Sequence, residues 1–205
     1  MRPLSVVVLA LLTVAGCAST VRIDVGYPEA GVHRSLLAAG GPRQIVLGPI
    51  TTRSALPRIG VDPDSDKPLV TRRPVTDIVR DALSLELGKN GHALVAEAGD
   101  VAVAAAVEEF WLDVVEGYKG ALYVGKVAIA LTVTDGVTGR RLLDRQYVGI
   151  KRQRTDSDSK AAEVAREVMD AALARAMRDL ATDRELVAVL ARPRSAAAAR
   201  GLAAR

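Results

Sequence analysis

The sequence predicts an α+β domain: a mostly antiparallel sheet of four to five strands, packed by two helices on one face. Two patterns carry that reading. Across residues 100–152, apolar and polar side chains alternate through three consecutive segments separated by turn sequences, as strands of a meander do. Residues 75–89 and 161–180 instead repeat their apolar positions every three or four residues, the period of an amphipathic helix. A sheet with one apolar face and helices with one apolar stripe bury each other in two layers.

Ahead of that domain the chain reads MRPLSVVVLALLTVAGCAST. Arg2 is a basic start, and residues 4–14 form an uncharged apolar run with only Ser5 and Thr13 as polar positions. Such a run suits a secretory signal but is well short of the ~20 residues a membrane-crossing helix needs. It also lacks the polar face of a globular helix. The run ends in Val14, Ala15, Gly16 and Cys17, which resembles the lipobox of bacterial lipoproteins: an aliphatic residue, two small residues, then cysteine. That resemblance implies cleavage between Gly16 and Cys17, and a Cys17 thiol carrying a diacylglycerol with palmitate-type chains. Cys17 is the single cysteine, so no intramolecular disulfide can form, and acylation would remove a free thiol from an oxidising compartment. Acyl chains contribute ~0.8 kcal/mol per buried methylene, enough in combination to hold a protein at a bilayer. Ala18 and Ser19 follow where an aspartate would retain a lipoprotein in the inner membrane. The implied address is the periplasmic face of the outer membrane.

Four regions result: a signal peptide (1–16), a lipid-anchored tether (17–43), the α+β domain (44–190) and a basic low-complexity tail (191–205), expected to be disordered. Within the tether only 35–39 suggests a short ordered segment. QIVLGPI, 44–50, is a β-branched run ended by Gly48-Pro49, hence a first strand. Residues 51–73 contain three prolines and the acidic turn DPDSDKP, and read as a long loop. Pro74 can open a helix because its missing N–H has no partner to lose there. Val75, Ile78, Val79, Ala82, Leu83 and Leu87 form the stripe of that helix, and Lys89-Asn90-Gly91 suits its end. His92 to Val95 makes a short strand.

In DVAVAAAVEEFWLDVVE the apolar parity changes at Glu108-Glu109, and a bulge there would restore one buried face. The next strand, 122–135, turns Val127, Ile129, Leu131 and Val133 inward. DGVTG, 135–139, is a hairpin turn leading into a strand over 140–152. The closing helix carries Val164, Val168, Met169, Leu173, Met177 and Leu180 on one stripe. Thr182 followed by Glu185 suggests a capping box for a short helix after it.

Composition narrows the function classes. Aromatics are only 3% of the chain, so Val, Ala and Leu fill the core. A formal charge of +4 would admit nucleic acid, but an exported chain meets anionic lipid instead. The two histidines, His33 and His92, stand apart from any partner at metal-ligand or catalytic spacing. No nucleophile elbow, phosphate loop or dinucleotide fingerprint occurs. Asp62, Asp64 and Asp66 begin like a calcium loop, but Lys67 and Pro68 replace its glycine and no glutamate closes it. Glu108 and Glu109 are neighbours on a strand, which does not by itself make an acid/base pair. The sequence therefore suggests no cofactor, no metal and no catalytic set.

VTDIVRDALSLELGKNGHALV, DVAVAAAVEEFWLDV, DGVTGRRL and the closing LARAMRDLATDRELVAVL together resemble the YajG-type family of outer-membrane lipoproteins, over residues 44–190. A broader likeness is to LptE-like lipoproteins and the auxiliary lipoproteins of lipid-transport systems. The lipid anchor, the single compact domain and the missing catalytic set suggest a non-enzymatic accessory that binds an envelope protein complex or a lipid, through the 51–73 loop or the exposed sheet face. The alternative is a periplasmic carrier of a lipid or other apolar ligand, and after that an envelope hydrolase. Oligomeric state is not legible.

Overall fold

The computed structural model describes residues 20–28, 36–53, 58–156 and 160–192. The signal peptide, Gly16, Cys17, His33 and residues 193–205 of the tail lie outside them. Within them run β1 (Val21–Ile23), a 3-10 turn (Leu36–Gly40), β2 (Gln44–Thr52), β3 (Arg58–Val61) and β4 (Pro68–Thr71). Then follow α1 (Val75–Lys89), β5 (Ala93–Val95), β6 (Val101–Gly117), β7 (Gly120–Asp135), β8 (Arg141–Thr155), α2 (Ala161–Ala181) and α3 (Arg184–Ala191).

The long meander forms as its alternation requires: β6, β7 and β8 pair antiparallel in order. The bulge falls at the two glutamates. Val107 opposes Ile129 and Glu109 opposes Ala128, leaving Glu108 as the extra residue. Val101, Val103, Ala105 and Val107 before it, and Phe110 and Leu112 after it, are consequently buried on the same face. The β7–β8 turn is closed by Asp135, whose carboxylate accepts from the Val137 and Thr138 amides at 3.0 and 2.8 Å. Gly139 supplies the left-handed residue, at φ 69°.

The other side of β6 departs from the expectation. The sheet has eight strands among the described residues and is mixed, where four to five mostly antiparallel strands were predicted. β2 runs parallel to the first half of β6, and β5 parallel to β2. β3 runs parallel to β6 further along, at Gly60 and Leu112, followed outward by antiparallel β4 and parallel β1. The segment 51–73, read as a loop, thus holds two strands. Each is four residues long, too short to display a period beside Pro57, Pro63 and Pro68. Likewise 20–28, read as tether, contributes β1 and buries Ile23 and Val25.

The helices do lie on one face, and there are three rather than two. α2 sits directly on β7 and β8. A Cβ on Gly125 would come within 2.8 Å of Val168 Cγ1, and one on Gly149 within 1.9 Å of the Ala172 carbonyl oxygen. Val168, Met169, Ala172, Leu173, Ala176 and Met177 fill that contact and are fully buried. α1 covers β2 with Ile78, Val79, Ala82 and Leu83. Its end is as read: Asn90, then Gly91 at φ 89°. For α3 the cap is Asp183, not Thr182. The Asp183 carboxylate accepts from Glu185 N at 2.8 Å, while the Thr182 hydroxyl donates back to Arg178 O at 2.9 Å. The 3-10 turn packs on α3, and Arg43 Nε donates to Leu190 O at 2.5 Å.

His92 follows α1 and is buried, 4% exposed. Burial lowers its pKa below the ordinary value of 6.5; Arg43 acts in the same direction and the Leu37 backbone opposes both. The folded protein thus holds this imidazole neutral where the unfolded chain would bind a proton. Stability from this site is complete above pH ~6.5 and falls as pH drops below it, by at most ~1.4 kcal/mol per unit. Denaturant titrations of the wild type and His92→Phe from pH 7.5 to about 5.5 should diverge in that sense, the variant showing the flatter profile.

Candidate functional site

Sheet registry determines what lies near the expected anchor. Val21 pairs with Leu69, Leu69 with Gly60, and Gly60 with Leu112. β1 therefore begins at the pole toward which β6 rises and β7 departs. The turn of that hairpin is Tyr118-Lys119, between paired Gly117 and Gly120. Tyr118 is 98% exposed and Val115 58%. The acidic turn after β3 lies at the same pole: burial raises the pKa of the Tyr123 hydroxyl, and Asp64, Asp62 and Glu116 add to the shift. Cys17 and Gly16 are outside the described residues, but only residues 18–20 separate Cys17 from β1.

A second feature follows from the two branches leaving β6. β2 pairs with it as far as Val107, and β3 joins only at Leu112. The interval leaves a cleft of about 350 Å³ beside the bulge. Ile59, Val107 and Phe110 supply apolar walls; Pro74, Val75 and Thr76 bring the start of α1; Arg58, Arg72 and Arg73 line it together with the carboxylates Glu108 and Glu109. Thr71 also lines it and is buried, and its hydroxyl makes no hydrogen bond among the described residues. Arg73 is held by Asp81 at 2.5 Å, a contact that raises its already high pKa. The Arg58 guanidinium lies 5.8 Å from the Trp111 ring centroid. Arg72, Arg73 and Thr71 were not singled out by the sequence reading. The available signal was the run TRRP immediately before a helix.

Of the carboxylates weighed in sequence, Glu108 and Glu109 also line the cleft, but each is held in an ion pair. Glu108 pairs with Arg53 at 2.9 Å and Glu109 with Lys126 at 2.6 Å, so the two carboxylates have separate cationic partners. Trp111 is half-buried on the sheet face away from the helices, its Nε1 donating to Asp113 at 2.8 Å. Asp62 is buried within its own turn, where its carboxylate accepts from the Ser65 hydroxyl and its amide donates to Lys67 O at 2.8 Å. Met169 and Met177 are core. Tyr147 donates to Asp183 at 2.6 Å and Arg145 pairs with Glu185 at 2.6 Å. Burial, then Asp183, pushes the Tyr147 hydroxyl pKa well up, so this surface groove holds a neutral phenol bracing the α3 cap. Among the described residues no cluster of three or more His, Cys, Asp or Glu could hold a metal ion, and no helix is long and apolar enough to cross a membrane.

A family model described as an uncharacterized lipoprotein matches residues 53–191. No curated protein matches the sequence. Among solved structures, protein XCC0632 from Xanthomonas campestris shares the fold, with a TM-score of 0.54 at 18% identity over 82% of this chain and 94% of that one. Lipoprotein GNA1162 from Neisseria meningitidis aligns at a TM-score of 0.36 and 12% identity, over 60% of this chain and 90% of its own. A minor lipoprotein from Acinetobacter baumannii aligns at 0.39 and 14%, over 67% and 91%.

Proposed function

The chain belongs to this family of uncharacterised lipoproteins, and from that premise we propose that it is a non-enzymatic accessory of the outer membrane, anchored through Cys17. Its task is to bind an envelope component, a protein complex or a lipid, at the cleft beside the β6 bulge. The observation that carries this reading is the cleft itself: apolar walls, Arg58 and Arg72 without a carboxylate ion pair among the described residues while Glu108, Glu109 and Arg73 are paired to Arg53, Lys126 and Asp81, and a buried Thr71 hydroxyl that has no hydrogen-bond partner among those residues. Such a surface suits an anionic group joined to an apolar one. The resemblance to YajG-type lipoproteins, together with Ala18 and Ser19 after Cys17, supports the outer over the inner membrane.

A carrier reading with an acyl chain between helix and sheet finds no support. α2 meets the sheet at Gly125 and Gly149 without room for even a methyl group.

Two measurements test the proposal. Cys17→Ala should remain uncleaved or leave the outer-membrane fraction; a mature Cys17→Ala protein still fractionating there would refute the anchor. A photocrosslinker at Arg72 in native membranes should capture one stable protein or lipid partner, and Arg58→Glu with Arg72→Glu should abolish a separate pull-down of that partner. Repeated recovery of nothing from native membranes would refute the accessory role.

A further inference from the structure

We propose that the β6–β7 hairpin tip is a second membrane contact, seated in the interfacial layer of the bilayer that holds the acyl chains; this rests on the Cys17 anchor proposed above. The argument is one of reach. From Cys17 to Val21 there are four residue steps, which span at most about 14 Å when fully extended. Val21 lies, through Leu69 and Gly60, at the level of Leu112. From Leu112, β6 continues five residues to Gly117, a rise of about 17 Å toward the same pole. The hairpin therefore projects as far as the anchor can reach. With Cys17 at the lipid surface, the tip is at that surface too.

The residues at the tip suit an interfacial environment. Tyr118 is almost fully exposed, with an apolar ring and a polar hydroxyl, the combination that settles at headgroup level. Val115 is exposed directly opposite half-buried Leu122 on the outer sheet face. Formal charges near the tip are mixed: Lys119 and Arg154 against Glu116, Asp113 and Asp64. Long-range attraction to anionic lipid is thus not the driving force. The contact works by burying Tyr118 and Val115 once the anchor has brought them to the bilayer. Two attachment points fix the domain's orientation, with the β7–β8 turn and its exposed Val137 at the far pole.

Cys17 is the only thiol, which permits a direct test. The mature chain, residues 17–205, is coupled through Cys17 to maleimide-bearing lipid in phosphatidylcholine–phosphatidylglycerol vesicles containing a headgroup-level nitroxide lipid. Tryptophan is placed at the tip with Tyr118→Trp, or at the far pole with Val137→Trp, each with Trp111→Phe. The tip tryptophan should lose about half its emission or more and shift to the blue, while that at 137 keeps its intensity. Equal quenching at the two poles, or none at 118, would overturn the proposal, provided circular dichroism shows both variants folded. Mass spectrometry of the protein recovered from cells separates the two hypotheses. Unacylated Cys17 with quenching intact refutes the anchor alone, and acylated Cys17 with an unquenched tip refutes the second contact alone.

Discussion

Gly149→Val is expected to destabilise the protein by about 3 kcal/mol or more. Gly149 lies on β8 opposite Val127, beneath α2. A Cβ there would sit 1.9 Å from Ala172 O and 2.6 Å from Ala176 N, both backbone atoms of the helix. Side-chain rotation cannot relieve a clash with helix backbone, so α2 must lift from the sheet. Lifting exposes Met169, Leu173 and Met177, which are fully buried. At about 2–4 °C per kcal/mol for a chain of this size, the melting temperature should fall by roughly 6–12 °C. Gly88→Ala is the internal contrast. Gly88 lies inside α1 with nothing within 4 Å of its added Cβ, so alanine should stabilise by about 0.5–1 kcal/mol through helix propensity. Thermal melts of the two variants should move in opposite directions. A Gly149→Val protein melting with the wild type would mean that α2 does not rest on the sheet.

These contacts also mark what can be read from sequence. The meander and the two long helices repeat their periods over fifteen residues or more, and each formed with its expected core residues. The bulge was legible because the parity of Val107 and Phe110 conflicts unless Glu108 is extra. β1, β3 and β4 were not legible. Three or four residues cannot display a period, and these strands exist because β6 is long enough to seat two partners side by side on one flank. The mixed topology is thus a property of β6 together with its neighbours, not of any short segment. The cleft was missed for the same reason: its walls come from β3, β4, α1 and the bulge, and only the pairing brings Arg58, Thr71 and Phe110 together. The cap on α3 went to Asp183 rather than Thr182 because the Asp183 carboxylate accepts from the Glu185 amide, while the Thr182 hydroxyl is spent on Arg178 O in α2.

Glu86→Ala should cost about 3 kcal/mol, and its effect should concentrate on β1. Glu86 is 1% exposed, yet it accepts from Tyr27 Oη at 2.7 Å and from Asn90 Nδ2 at 3.3 Å, and pairs with Lys89 Nζ at 2.6 Å. Lys89 also lies 5.9 Å from the Tyr27 ring centroid. This network ties the segment after β1 to α1, and Gly26 N adds a bond to Asp170 at 2.9 Å. Alanine leaves Lys89 without its carboxylate and Tyr27 without its acceptor, whereas Tyr27→Phe alone should cost only about 1 kcal/mol. Hydrogen exchange should show the amides of β1 and of residues 24–28 opening in Glu86→Ala well before those of β6 or α2. Uniform acceleration across the sheet would show that Glu86 supports the core as a whole. The consequence for orientation follows from the same geometry. With β1 paired, Cys17 lies at most about 14 Å from the domain; with residues 20–28 released, the eleven residue steps from Cys17 to Pro28 alone allow about 38 Å. A hairpin tip held at the bilayer by a short leash would then be free to leave it. On vesicles, Glu86→Ala should therefore reduce the quenching of a tryptophan at 118, although residue 86 is on α1 and the hairpin itself is unaltered. Quenching unchanged in a variant whose β1 amides exchange freely would show that the tip stays in the bilayer without help from the tether.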